Sequence, residues 1–289
     1  MDQSASSATL AYLTTKEVAD LLRVKERKVY DLAAAGEIPH RRITGKLLFP
    51  ATEITAWIEG GEVPVERPAI VAGSHDPLVD WAIRESGCGL ATLFDGSFSG
   101  LDRFTQTQAA LCGIHIPEAE GWNIATLETR DLRDCVLIAW AKRTQGLIVA
   151  PGQEDHLQGL ADIGGRRLVL RQPGAGAREL FDQLSKDIDL SEARILDRPA
   201  RTETDAAQAI AAGDADVALG LRAAAAQFRL GFVPLIDEQF DLLIDRRAYF
   251  TPPVQTLMAF AQTGSLVQKA KSLGGYDIDG LGQVRWLSR

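Results

Sequence analysis

Apolar residues in the first sixty positions recur at helical spacing and are interrupted by short punctuated stretches. Thr14-Thr15-Lys16-Glu17 reads as a helix start, with Thr14 as cap and Glu17 completing a capping box three residues later. Val18, Leu21 and Leu22 then fall on one face. Arg23-Val24-Lys25 reads as a tight turn. Glu26 through Ala35 reads as a second helix with Val29 and Leu32 inward, stopped by Gly36. The run from Ile38 to Phe49 predicts two short strands around Thr44-Gly45. Ala51 through Glu59 predicts a closing helix anchored by Ile54, Trp57 and Ile58.

The pattern then changes. Gly60 through Pro68 holds paired glycines and two prolines, which exclude a continuous helix. Ala69-Ile70-Val71-Ala72-Gly73 follows as a short buried-strand pattern ending in glycine. From there strand and helix patterns alternate, as in an α/β domain with mostly parallel strands. The domain reading is therefore residues 10–60, a linker at 61–68, and a second domain at 69–289. Ala206–Ala212 and Ala223–Phe228 read as apolar helices, either core or interface.

Composition narrows the class. The chain has 289 residues, 46% apolar and 24% charged, which is ordinary for globular domains. No apolar run reaches the roughly 18 residues that span a bilayer, and the N-terminus has no basic region ahead of an apolar stretch. A cytoplasmic location with no membrane partner is expected. The odd count of cysteines (Cys88, Cys112, Cys135), without metal-type spacing and among apolar neighbours, reads as core and argues against a disulfide framework or a bound metal.

The net charge of −8 is unevenly placed. Residues 1–60 hold eight basic and eight acidic side chains, so the whole excess lies in the second domain. Within 23–46 there are seven basic residues against three acidic. A helix entering the major groove presents its N-terminal residues to base edges. Here these are Lys25, Glu26, Arg27, Lys28 and Tyr30; lysine and arginine suit guanine edges, and cations on the following strands suit phosphates.

The stretch LTTKEVADLLRVKERKVYDLAAAGEIPHRRITGKLLFPATEITAWIEG resembles the excisionase-type, MerR-like winged helix-turn-helix. The likeness rests on Thr14, Glu17, Ala19, Leu22, Val24, Val29, Tyr30, Leu32, Gly36, Ile38, Pro39, Arg42 and Phe49. It implies that Lys25, Arg27, Lys28, Arg41, Arg42 and Lys46 contact double-stranded DNA. A unit this small implies a homodimer on an inverted repeat.

The second domain carries three glycine-bearing strand-to-helix junctions: Gly73-Ser74-His75-Asp76-Pro77, Asp95 through Leu101, and Leu168 through Arg178. Asp76 or Ser74 suits the cap of the first helix. Each junction turns backbone N–H groups toward a helix start, which suits an anion. None is a nucleotide loop: GxxxxGK[ST] is absent, and Gly174-Ala175-Gly176-Ala177-Arg178 has two glycines of a dinucleotide fingerprint. GxSxG is absent too, and four histidines leave few general bases. His115, at the end of the strand-like run from Leu111, reads either as a ligand contact or as a satisfied polar group.

The stretches GSHDPLVD, FDGSFSGLDRF, LCGIHI, AKRTQGLIVAPG, LVLRQPGAGAR, GDADVALGLRAAA and LGFVPLIDEQFDLLI, with a late GGYD, resemble the type II periplasmic-binding-protein fold. That fold is related to molybdate- and tungstate-binding proteins and occurs fused to helix-turn-helix units. The fold expected is a small α domain with a β wing, followed by a two-lobed α/β periplasmic-binding-protein-like domain. The resemblance implies one lobe at about 69–147 and 242–289, a second at about 148–241, and hinges near Leu147–Pro151 and Phe240–Leu243. It implies a ligand between the lobes, touched by Ser74, His75, Asp76, Ser97, Ser99, His115, Arg143, Gln145, Arg171, Gln172, Gly174, Arg178, Thr202 and Thr204, with Arg222 beside them. Relatives carry hydroxyls where Ala175 and Ala177 stand. A bound molybdate or tungstate would then rely on backbone N–H groups, Arg178, and Ser74 or Ser97; a larger anionic metabolite, pterin-like or carboxylate, is equally compatible.

These readings converge on a ligand-responsive, one-component transcription regulator that senses a small anion and is not an enzyme. The alternatives are an enzyme tethered to DNA, for which Asp76 and His115 would be the polar participants, and a DNA-bending protein whose second domain serves assembly.

Overall fold

The computed structural model describes residues 12–43, 45–58 and 66–288. The chain divides into two compact units between Glu66 and Arg67. Residues 61–65 of the expected linker, and Thr44 of the expected wing turn, lie outside the described residues.

In the first unit β1 (Tyr12–Thr14) leads into α1 (Thr15–Leu22). The Thr14–Glu17 capping box is formed in both directions. Arg23 ends α1 in the left-handed region at φ 55°. Then α2 (Glu26–Ala35) runs to Gly36, which takes φ 72° as the C-cap reading requires. The wing forms from β2 (Arg41–Ile43) and β3 (Lys46–Pro50), and α3 (Ala51–Ile58) closes the unit. The sheet order is β1-β3-β2. The hydrophobic pattern did not predict β1, because three residues carry too little alternation to register as a strand. Val18, Val29, Ile38, Phe49 and Ile54 form the buried core. Leu21, expected inward, is 53% exposed. The inward stripe runs through Thr15, Val18, Ala19 and Leu22, roughly a third of a turn from Leu21.

The second unit opens with β4 (Ile70–Gly73), α4 (Pro77–Ser86), β5 (Ala91–Phe94), α5 (Ser97–Thr105), β6 (Leu111–Ile114), α6 (Ile124–Glu128) and the long β7 (Cys135–Val149). It continues through β8 (Arg167–Val169), α7 (Gly176–Leu184), β9 (Arg194–Ile195), α8 (Glu203–Ala211), β10 (Val217–Leu221) and α9 (Arg222–Gln227). The chain returns along β11 (Gly231–Asp245) and ends in α10 (Pro252–Ala261), α11 (Gly264–Leu273), β12 (Tyr276–Asp277) and β13 (Val284–Leu287).

These strands share one sheet in the order β5-β4-β6-β11-β7-β10-β8-β9, with β12 and β13 also on β7. The outer strands pair in parallel, as the alternating pattern predicts. The centre is antiparallel, because β7 carries the chain across and β11 brings it back beside β7 along its whole length. Two half-sheets result, with β7 and β11 common to both. In the first lobe, α4, α10 and α11 bury Leu78, Val79, Ala82, Val254, Leu257 and Leu266 against one face, and α5 buries Leu101 and Phe104 against the other. In the second lobe, α7 covers one face with Leu180 and Phe181. The opposite face is covered by α8 and α9, whose alanines, including Ala206, Ala207 and Ala223 to Ala225, are buried in core.

Strand β7 changes partners between Arg143, which faces β12, and Gln145, which faces β10. On β11 the register shifts at Pro234/Ile236 and at Phe240/Asp241. Leu147–Val149, at the hinge read from the sequence, pair with β10 inside the second half-sheet.

Candidate functional site

Two surfaces carry functional chemistry, one in each unit. In the first unit α2 has Lys25 as N-cap and turns Val29 and Ala33 inward. The rest of the predicted set faces solvent: Lys25, Arg27, Lys28 and Tyr30 at the start of α2, and Arg41, Arg42 and Lys46 on the wing are all exposed. Arg41 is held by Glu53 at 2.7 Å and by the His40 carbonyl at 3.1 Å. No ion pair is formed by Lys28 or Arg42 among the described residues. The cations on this face are therefore available to phosphates, with Arg41 the most constrained.

In the second unit the helix starts gather where the lobes meet. The Asp76 carboxylate caps α4 by accepting from the Val79 N–H at 2.7 Å. Thr202 caps α8 in a capping box with Asp205. No side chain caps α5 or α7. The lobes touch at these two uncapped starts. Gly96 takes φ 113°, and a Cβ there would lie 2.6 Å from the Gly174 carbonyl oxygen. A Cβ on Gly176 would lie 2.5 Å from the His115 carbonyl oxygen and 2.7 Å from its Nε2. Only glycine allows this approach. Across the same seam the Gln172 amide donates to the Asp95 carbonyl at 3.4 Å.

Behind the seam is a buried polar cluster. The Ser74 and Ser97 hydroxyls are 2.8 Å apart, and Ser97 accepts from the His115 N–H at 3.3 Å. His115 Nδ1 lies 2.8 Å from Glu238, so His115 is a partnered polar group. Arg143 donates to Asp76 at 2.9 Å and also to Glu238, and its guanidinium stacks over Phe240 at 4.4 Å. Gln145 donates to Glu238 at 3.0 Å, and the Tyr276 hydroxyl donates to Asp76 at 2.6 Å. Burial works to raise the Glu238 carboxyl, but Arg143 and His115 outweigh it and hold it below the usual range. Burial and the Asp76 charge push the Tyr276 phenol up. Glu238 and Tyr276 were not singled out from the sequence. Both lie in stretches that carry the resemblance, Tyr276 in GGYD and Glu238 in LGFVPLIDEQFDLLI, but nothing local marks the role of Glu238, since its partners lie 95 and 123 residues away.

The other predicted residues fall around this cluster. Arg171 donates to Glu203 and to the Ala200 and Arg201 carbonyls, at 3.3 and 2.9 Å for the latter two. Arg178 points along its own helix to Asp182, at 2.9 Å, and Arg222 stacks over Phe232 at 4.7 Å. Ser99 lies half-buried in the first turn of α5. His75 stands edge-on to Phe94 at 5.5 Å, and burial lowers its pKa. Several buried polar atoms around the cluster have no hydrogen-bond partner among the described residues, including His75 Nδ1, Asp95 Oδ1, Arg143 Nε, Gln145 Oε1, Gln172 Oε1 and Glu203 Oε2. Of the three arginines expected to face an anion, each is already engaged with a carboxylate.

Beside the cluster, a cavity of about 490 Å³ opens between α4 and α11 of the first lobe and α8 and α9 of the second. His75 and Thr204 line it. The cysteines are buried and unpaired; burial pushes the Cys112 thiol well up and Cys135 to about 11, so both are inert as thiolates near neutral pH. Among the described residues no group of three or more His, Cys, Asp or Glu could hold a metal ion, and no helix is long and apolar enough to cross a membrane.

Residues 80–262, more than half of the chain, match the family model described as a PBP superfamily domain. The chain belongs to the PBP superfamily. This PBP-superfamily chain also matches a helix-turn-helix domain model over residues 12–62. It is 27% identical over 263 residues to the uncharacterized protein YvgK of Bacillus subtilis (strain 168), covering 80% of this chain and 84% of that one. Among solved structures it is similar to the effector-binding domain of QuiR in complex with shikimate (TM-score 0.46, 13% identity, 66% of this chain and 93% of that one). It is also similar to a Corynebacterium glutamicum OxyR mutant with H2O2 bound (TM-score 0.47, 12% identity, 90% and 89%). A third is the Synechocystis PCC6803 CcmR regulatory domain in complex with 2-PG (TM-score 0.46, 13% identity, 68% and 98%).

Proposed function

We propose that this chain is a one-component transcription regulator: a homodimer that binds double-stranded DNA through its winged helix-turn-helix and senses a small anionic organic ligand between the lobes of its second domain. The observation that carries this reading is the union, in one chain, of a helix-turn-helix with its cations exposed and a PBP-superfamily domain whose lobes meet through glycine backbone. Contact through glycines, with no cap on either helix start, suits lobes that open and reclose. Ligand and DNA are then linked: the change in DNA affinity equals the ligand's differential affinity for the two states of the protein. No catalysis is required. In this reading the protein works in the cytoplasm, where its DNA is.

An organic anion fits better than bare molybdate or tungstate. The arginines that would take a bare oxyanion are held by Asp76, Glu238, Glu203 and Asp182. A cavity of about 490 Å³ also exceeds what four oxygens fill.

The test has two arms. The full chain selects sites from random-sequence duplex DNA, and the selected duplex is titrated at several salt concentrations. In parallel, small carboxylates, phosphate esters, pterins, molybdate and tungstate are screened by thermal shift, since stabilisation grows as RT ln(1 + [L]/Kd). The expected result is an inverted-repeat site, and a stabilising ligand that changes affinity for it. Failure to enrich any site, or stabilising ligands that all leave DNA affinity unchanged, would overturn the reading.

A further inference from the structure

The cavity between α4, α8, α9 and α11 lies apart from the buried Ser74–Ser97–Arg143 cluster, and its walls have a chemistry of their own. Resting on the regulator reading above, we infer that this cavity is the effector site, and that it takes a small aromatic acid: a carboxylate or phosphate ester on a planar ring.

The anionic head follows from Lys269. Its ammonium reaches no carboxylate among the described residues and lies 5.6 Å from the centre of the Trp81 ring. The other cation at the rim, Arg84, is already neutralised by Asp80 at 2.9 Å. Lys269 is thus the one lining cation among the described residues without an acidic partner, held only over the Trp81 ring, and a carboxylate or phosphate entering here meets a charge that no carboxylate neutralises.

The planar ring follows from Trp81. Its indole packs against Phe260, centroids 5.5 Å apart, so the wall is held in place before any ligand arrives. His75 supplies direction. Its Nδ1 is buried and unpartnered, and the ring is fixed edge-on to Phe94. Burial keeps the imidazole neutral near neutral pH, so one ring nitrogen donates and the other accepts. From the second lobe Thr204 and Gln227 line the cavity. A ligand touching Lys269 and Trp81 on one side and Thr204 and Gln227 on the other bridges the lobes, which is the geometry that converts occupancy into closure. The volume lies within the range of small-molecule sites.

The probes are benzoate and phenyl phosphate, added to the full chain labelled with 5-fluorotryptophan and followed by fluorine NMR. Trp81→Phe assigns the Trp81 resonance among the five tryptophans. The expected result is a saturable shift of that resonance with at least one probe. Lys269→Glu, at a half-buried position, should weaken that binding about tenfold or more while the melting temperature stays within a few degrees, and Lys269→Arg should restore it. Response to benzoate alone assigns a carboxylate head; response to phenyl phosphate alone assigns a phosphate; response to both leaves the shared anion chemistry. A Trp81 resonance that neither probe moves, or a shift that survives Lys269→Glu, overturns the assignment. Such a failure leaves the DNA-coupling test intact, since that test accepts a ligand bound anywhere. Loss of DNA coupling with the Trp81 response retained overturns the regulator reading instead.

Discussion

The Arg143 guanidinium donates to the Asp76 carboxylate at 2.9 Å, tying the centre of β7 to the cap of α4, with both side chains fully buried. Glu238 takes the other terminal nitrogen. Three buried charges are stable only as a set, because removing one partner leaves the others buried and short of a counter-charge. Arg143→Met should therefore cost about 3–5 kcal/mol in denaturant unfolding. The double variant Arg143→Met with Glu238→Gln should recover part of that loss, since the surplus carboxylate goes with it. Single and double variants of equal stability would mean that the pairing contributes nothing beyond packing.

The parts of this molecule that were legible in the sequence are those whose cause is local. The Thr14–Glu17 box, the Gly36 stop and the α4 cap are each fixed by a few neighbouring residues: the first two formed as read, and of the two caps open for α4, Ser74 and Asp76, the structure uses Asp76. The two-lobed fold came through a resemblance in motif order, not through periodicity, which by itself predicts mostly parallel strands and does not show the antiparallel β7–β11 pair at the centre. The Arg143 cluster was not legible as such. The resemblance implies Arg143 as a ligand contact, and nothing local shows that it is already paired, since its partners Asp76 and Glu238 lie 67 and 95 residues away. The same holds for Arg171, whose partner Glu203 lies 32 residues on. Arg178 is different: Asp182 stands one helical turn away, so this pair could have been read from the i,i+4 spacing.

On the DNA face, Arg42 and Arg41 are neighbours with different fates. Arg41 is tethered to Glu53, while Arg42 forms no ion pair among the described residues. Arg42→Ala should weaken binding to the selected duplex and lower the slope of log affinity against log salt by about one, with the melting temperature nearly unchanged. Lys28→Ala should act similarly. Arg41→Ala should cost less affinity, because its charge is already partly compensated. Equal salt slopes for wild type and Arg42→Ala would remove Arg42 from the phosphate contacts.

The seam between the lobes is testable without a ligand. Gly176→Ala places a methyl group 2.5 Å from the His115 carbonyl oxygen, and neither the helix backbone nor that carbonyl can yield without the lobes parting. Residue 176 begins α7, where alanine is otherwise favourable by up to about 1 kcal/mol. The variant should keep its secondary structure and show a larger radius of gyration in solution scattering. It should also lose affinity for any ligand that bridges the lobes. An unchanged scattering profile would show that the seam does not set the closed arrangement.

Asp241 gives a pH signature separable from the rest. Burial raises its carboxyl from 3.8 to about 6, against the opposing pull of Arg285 at 3.4 Å and the Asn123 amide at 2.7 Å. The folded state thus holds a proton that the unfolded chain has released between about pH 4 and 6, so this group's contribution to stability grows on acidification through that window and fades above it. Other groups move the opposite way. His75, with its pKa lowered by burial, costs stability as pH falls below its ordinary value of 6.5, and Glu238 loses its contribution toward still lower pH. The informative quantity is therefore a difference. Asp241→Asn mimics the protonated carboxyl, so it should be the more stable form at pH 7.5, by an amount on the order of 1–3 kcal/mol. That advantage should shrink as the pH is lowered to 5. A difference in unfolding free energy that stays constant from pH 7.5 to 5 would mean that Asp241 is ionised in the folded protein throughout.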